Sequence, residues 1–151
     1  MTHFLTINGL KENDFREIFS LTDQIKNSPL DFSKTLENKS IGLLFEKPSL
    51  RTRISFEVGI KELGASSIYL SSAEVQLGVR ESISDVARVT SGYLDGIVVR
   101  TFSQEKLIEF ANNSSVPVIN ALTDLLHPAQ ILSDIYTIYK HKNDIKKIVS
   151  T

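Results

Sequence analysis

Cysteine is absent from the 151 residues. That excludes disulfides, thiolate metal sites and a cysteine nucleophile within the chain. Charge of one sign is not in excess either: 17 Lys and Arg face 18 Asp and Glu, for a net charge of −1. This balance argues against a general nucleic-acid binder and against a polybasic membrane surface, and leaves room for a local basic pocket. No apolar run approaches the ~20 residues that span a bilayer. The opening stretch Met1-Thr2-His3-Phe4-Leu5-Thr6 shows no basic segment followed by an apolar one, so no signal-peptide pattern is visible there. Glycine-rich phosphate loops are missing: neither Gly-x-Gly-x-x-Gly nor a turn ending in Gly-Lys-Ser or Gly-Lys-Thr occurs. The three histidines, His3, His127 and His141, lack metal-ligand spacing, so no metal site is expected.

What remains is an ordinary globular composition, 41% hydrophobic and 23% charged. A chain of this length makes about one domain and buries roughly 70% of its unfolded surface. Residues 10–26 place Leu10, Phe15, Ile18, Phe19, Leu21 and Ile25 at helical spacing, and Asn27-Ser28-Pro29 ends that helix because proline keeps the preceding residue out of the α region. Strands are expected at 41–45, 67–70, 96–100 and 116–120. Helices are expected at 51–63, with Ile54, Val58 and Ile60 or Leu63 inward and Gly64 as its stop, and at 82–93, 103–112 and 128–141. A polar loop is expected over 71–78. Strands and helices alternate and the strands are apolar on both faces. The prediction is therefore an α/β domain of three layers, with a parallel sheet of four strands or slightly more between helices and right-handed crossovers. Residues 1–140 form this domain. Residues 141–151 read as a polar linker, His141-Lys142-Asn143-Asp144, followed by the start of a strand of a second domain, or as a frayed tail.

Ligands of open parallel sheets sit beyond the carboxyl ends of the strands. The residues following each predicted strand are therefore the candidates: Glu46 to Arg53, the loop with Gln76 and Arg80, Arg100 and Thr101, and Asp124, His127 and Gln130. Ser49-Leu50-Arg51-Thr52-Arg53 runs straight into a helix. A helix start offers unpaired N–H groups and a positive dipole end, hydroxyls add donors, and arginine adds a fork suited to phosphate oxygens. A dianionic phosphate fits this set. A surface helix capped by Ser49, with Arg51 and Arg53 solvated or paired to Glu57, fits it as well. His127 and Gln130 lie three apart at a helix start and share a face. They either cap and pack, or hold a planar amide-like group, the imidazole donating to its oxygen and Gln130 accepting from its NH₂. Gln76 and Arg80 are either ligand-facing or solvated.

Phe45-Glu46-Lys47-Pro48-Ser49-Leu50-Arg51-Thr52-Arg53-Ile54-Ser55-Phe56-Glu57 resembles the carbamoyl-phosphate signature of the aspartate/ornithine carbamoyltransferases. His127-Pro128-Ala129-Gln130-Ile131-Leu132-Ser133-Asp134 is similar to the family's second signature, and Arg100 matches the arginine that ends the intervening strand. Gln76-Leu77-Gly78-Val79-Arg80-Glu81-Ser82 and Asn120-Ala121-Leu122-Thr123-Asp124 look like the ornithine branch. Leu50 departs from the family's usual Thr or Gly, and this form also occurs in the acetylornithine and succinylornithine branches.

The resemblance implies transfer of a carbamoyl group from carbamoyl phosphate to ornithine, without metal or organic cofactor. It implies that Ser49, the Leu50 backbone, Arg51 and Thr52 bind phosphate, and that Arg100 bridges phosphate and carbonyl oxygen. Thr52 and His127 polarise that oxygen, and Gln130 accepts from the NH₂; Arg100, His127 and Thr52 are the catalytic set. It further implies a homotrimer in which Gln76 serves the neighbouring subunit, a cytoplasmic setting in arginine biosynthesis, and an ornithine-binding domain beyond this chain, so that the chain alone is inactive. Carbamoyl transfer to aspartate or an acylated ornithine, and a stand-alone module that binds a phosphorylated metabolite without turnover, are the alternatives.

Overall fold

A computed structural model of the protein describes residues 3–142. Four strands, β1 (Ser40–Phe45), β2 (Ser66–Ser71), β3 (Gly96–Arg100) and β4 (Val118–Leu122), form one sheet. Its order is β2-β1-β3-β4 and every pairing is parallel. The helices are α1 (Glu12–Asn27), α2 (Leu50–Glu62), α3 (Ser72–Val75), α4 (Ile83–Ser91), α5 (Gln104–Asn113) and α6 (Pro128–Lys142). The expected three-layer α/β domain is what the chain forms. The predicted linker and opening strand at the C-terminus lie outside the described residues.

Pleating explains the layers. Successive side chains of a strand point to opposite faces. Leu44, Ile97, Val99 and Val118 therefore pack with Val86 of α4 and with Leu107 and Phe110 of α5. Leu43, Phe45, Val98 and Ala121 pack on the other face with Ile60 of α2. Burial on both faces is why the central strands read as continuous apolar runs. A separate aromatic cluster joins α1 to α6. Phe19 lies edge-on to Tyr136, with centroids 5.3 Å apart, and stacks on Tyr139 at 5.5 Å. Tyr136 and Lys140 both donate to Asp23 of α1, at 2.6 and 2.9 Å.

Several local expectations shift. Strand β4 starts two residues late, because Pro117 has no N–H to donate and contributes only its carbonyl, which accepts from Ile97 N at 2.9 Å. The predicted loop at 71–78 contains the one-turn helix α3. Ile54 and Val58 do not face inward: they stay half-exposed, and Ile60 alone of the α2 residues is buried. The pattern failed there because α2 lies over the edge strand β2, which offers that face only the exposed Ser67 besides Tyr69. Gly64 does stop α2. Its φ is +92°, and a Cβ there would stand 2.4 Å from the Ser33 carbonyl oxygen, so only glycine fits.

Candidate anion-binding site

The order β2-β1-β3-β4 sends the chain outward in opposite directions from β1 and β3. Their carboxyl ends therefore open a crevice at the switch point, where α/β sheets hold ligands. A cavity of about 670 Å³ lies there. Ser49, Leu50, Arg51 and Thr52 reach it from the turn after β1, Arg100 from the end of β3, and His127 and Gln130 from the start of α6. These are seven of the eight residues proposed from sequence. Gln76 is not among the lining residues; it is exposed on the loop after α3. Ser55, Phe56 and Ser133 line the cavity too and were not singled out from sequence. Their signal was spacing, since Ser55 and Phe56 lie three and four residues after Thr52, and Ser133 three after Gln130.

The start of α2 differs from the other helix starts. In α4 and α5, Ser82 and Ser103 cap the helix by accepting from the N–H of Asp85 and Lys106, and acids stand in the first turn. At α2, Ser49 makes no capping hydrogen bond and the first turn carries no acid. The first-turn N–H groups have no partner inside the helix, and the positive dipole end is uncompensated. Among the described residues nothing pairs with the Arg51 guanidinium. Arg53 takes the other option foreseen for it: its Nε donates to Glu57 at 2.9 Å, and its guanidinium stacks 3.7 Å above the Tyr69 ring.

Arg100 crosses from β3 toward this helix start, and its Nη1 donates to Thr52 Oγ1 at 3.4 Å. Its Nε is buried without a hydrogen-bond partner, and burial pulls its pKa below the ordinary arginine value. A half-buried cation with one buried, unused donor is electrostatically suited to an anion.

His127 and Gln130 are held in one arrangement by their neighbours. The Gln130 backbone N–H donates to His127 Nδ1 at 3.3 Å, so the histidine caps α6. With Nδ1 accepting, the proton of the neutral ring belongs on Nε2, which is then a donor. Burial first, and the Arg100 charge second, push the His127 pKa below the usual histidine range, which favours this neutral ring. The Gln130 amide nitrogen donates to Asp134 Oδ1 at 2.8 Å, leaving the amide oxygen to accept. The cavity thus presents two guanidinium groups and an open helix start on one side. On the other it presents one fixed donor and one fixed acceptor. Among the described residues no cluster of His, Asp and Glu fits a metal ion, and no helix is long and apolar enough to cross a membrane.

Fold and cavity together define an α/β domain with a crevice at its switch point lined by two guanidinium groups and an uncapped helix start. Residues 2–140 match the carbamoyl-P binding domain of the aspartate/ornithine carbamoyltransferases, and the chain belongs to that family. An ornithine carbamoyltransferase of Geobacter metallireducens is 48% identical over 142 residues, which cover 93% of this chain and 47% of that protein. One from Caldicellulosiruptor saccharolyticus is 46% identical over 150 residues, covering 98% and 49%. The crystal structure of the anabolic ornithine carbamoyltransferase of Campylobacter jejuni superposes with a TM-score of 0.87 at 39% identity, covering 93% of this chain and 45% of that one. The enzyme from Pyrococcus furiosus superposes with a TM-score of 0.89 at 35% identity, covering 93% and 46%. The chain spans about half the length of the curated relatives it matches.

Proposed function

We propose that this chain is the carbamoyl-phosphate-binding half of an ornithine carbamoyltransferase. The observation that carries the reading is the convergence of Arg51 and Arg100, from two separate crossovers, on one cavity beside an uncapped helix start. A phosphate dianion balances those two cations. Ser49, Thr52, the Leu50 N–H and Arg51 hold its oxygens, and Arg100 spans phosphate and carbonyl oxygen. His127 Nε2–H and the Thr52 hydroxyl donate to the carbonyl oxygen, and the Gln130 amide oxygen accepts from the carbamoyl NH₂.

In the reaction, the neutral δ-amine of ornithine attacks the carbonyl carbon. The carbonyl π electrons move onto oxygen, where Arg100, Thr52 and His127 stabilise the charge that develops. The carbonyl then re-forms as the C–O bond to phosphate breaks, the amine proton passes to the departing phosphate oxygen, and citrulline and hydrogen phosphate leave. No group of this chain is assigned to the amine, which falls to residues beyond it. By the family reading the protein is a cytoplasmic homotrimer of arginine biosynthesis, with Gln76 turned toward the neighbouring subunit's phosphate.

Calorimetric titration with carbamoyl phosphate tests the reading. Binding that weakens strongly in both Arg51→Ala and Arg100→Ala supports it, and absence of binding to the unaltered chain refutes it. A bisubstrate analogue should gain little affinity from its ornithine portion on this chain.

A further inference from the structure

Beneath the loop that carries Gln76 runs a polar tie that the reaction does not use. The Lys106 ammonium, on the first turn of α5, donates to the Leu77 carbonyl oxygen at 3.3 Å and stands 3.9 Å from Glu46 Oε1. The other carboxylate oxygen of Glu46 accepts from the hydroxyl of Thr101, a residue fully buried after β3. The Glu46 backbone N–H in turn donates to the Arg100 carbonyl at 2.8 Å. Glu46 opens the turn that leads to Ser49. One ammonium therefore touches both the phosphate-side turn and the loop at residues 76–81.

Apart from this tie, the loop is held by the Leu77 side chain, buried in the core cluster with Ile83 and Leu107, and by Gln76 N, which donates to the Ser72 carbonyl at 3.0 Å. Gln76 adopts a left-handed conformation, with φ 44°, and Gly78 follows at φ 74°. Gly78 N donates to Glu81 O at 3.0 Å, while Val79 N and Arg80 N share the Gln76 carbonyl. These last three bonds lie inside the loop, and only Leu77 among its residues is buried. A Cβ at Gly78 would lie 3.9 Å from the Lys106 amine, so the ammonium passes directly under the turn. A hydrogen bond to a charged donor is about twice as strong as a neutral one. The Glu46 contact is long for an ion pair and the lysine is partly solvated, so its part is to aim the ammonium more than to add attraction.

We infer that Lys106 is a positioning residue: through its bond to the Leu77 carbonyl it fixes the loop carrying Gln76 against Glu46, and so sets that loop relative to the phosphate-binding turn. The inference rests on the proposed function only for the purpose of the loop; the tie itself is independent of ligand.

Amide hydrogen exchange on the ligand-free chain tests it. In Lys106→Met the amides of Gly78, Val79 and Arg80 should exchange about fivefold faster or more, while those of Leu43 and Val98 in the sheet keep their rates. Lys106→Arg, which restores charge and reach, should bring the loop amides back toward the unaltered rates. Unchanged loop exchange in Lys106→Met overturns the inference, as does equal acceleration in Lys106→Arg. Should the methionine variant not fold, Lys106→Gln asks the same question with a polar end too short to reach Leu77. Titration with carbamoyl phosphate is a separate measurement, so the tie and the proposed function can fail independently.

Discussion

Replacing Arg100 by methionine should make the ligand-free chain more stable and the ligand-bound chain much less so. Methionine keeps an unbranched side chain and removes the guanidinium. The protein bond lost is Nη1 to Thr52 Oγ1, which at 3.4 Å is at the long end of the range. What is relieved is the burial of an Nε that has no partner. Unsatisfied buried donors cost about 1–3 kcal/mol each, and the charge-assisted bond to Thr52, worth about 1.5–3 kcal/mol at good geometry, returns only about 1 kcal/mol at 3.4 Å. A net gain of about 1 kcal/mol corresponds to about 2–4 °C in Tm for a domain of this size. Binding moves the opposite way. Arg100 is assigned two charge-assisted hydrogen bonds, each worth about 1.5–3 kcal/mol, so losing even the lower sum weakens carbamoyl phosphate by about 100-fold. Scanning fluorimetry without ligand and calorimetric titration at 25 °C read the two halves. A variant with lower Tm and unchanged affinity would refute the reasoning, because Arg100 would then be a structural residue rather than a cation held ready for an anion.

Asp134→Ala should free the Gln130 amide to rotate, weakening carbamoyl phosphate about threefold to tenfold with little change in Tm, since the pair is exposed; calorimetry and fluorimetry separate the two. The lowered His127 pKa fixes a sign for pH dependence: the folded state resists protonation, so its contribution to stability is fully present above the unfolded value near 6.5 and is lost as pH falls through the lower folded value. Urea midpoints should fall across that window, and His127→Asn, which keeps a cap acceptor, should flatten the fall. Phe19→Ala should cost about 3–5 kcal/mol by emptying the aromatic contact between α1 and α6, seen as a large drop in Tm.

Much of this architecture is written locally. The run Ile41 to Phe45 and the run Gly96 to Val99 are apolar because both faces are covered, and that condition is visible in sequence. The order of the strands is not, since nothing in a strand's own residues says which neighbour it pairs with. Ile54 and Val58 show the same limit, because spacing reports an apolar stripe but not whether the sheet extends far enough to cover it. At the site, Ser49 to Thr52 were legible because a helix start is a local feature with its own electrostatics. The Gln130–Asp134 bond, at four-residue spacing, was legible in principle. The Glu46–Thr101–Lys106 tie was not, as its members stand 55 and 60 positions apart and meet only when β1 and β3 are side by side.

The cap at the head of α6 binds two fates into one ring. A single lone pair on His127 begins a helix, and by doing so decides which edge of the imidazole faces the cavity. Asparagine could start the helix, but its donor NH₂ sits on the same carbon as the capping oxygen rather than across a ring from it. Glutamine could offer the edge but is a poor start. A flat ring with nitrogens on opposite sides does both at once, so architecture and chemistry at this position change together.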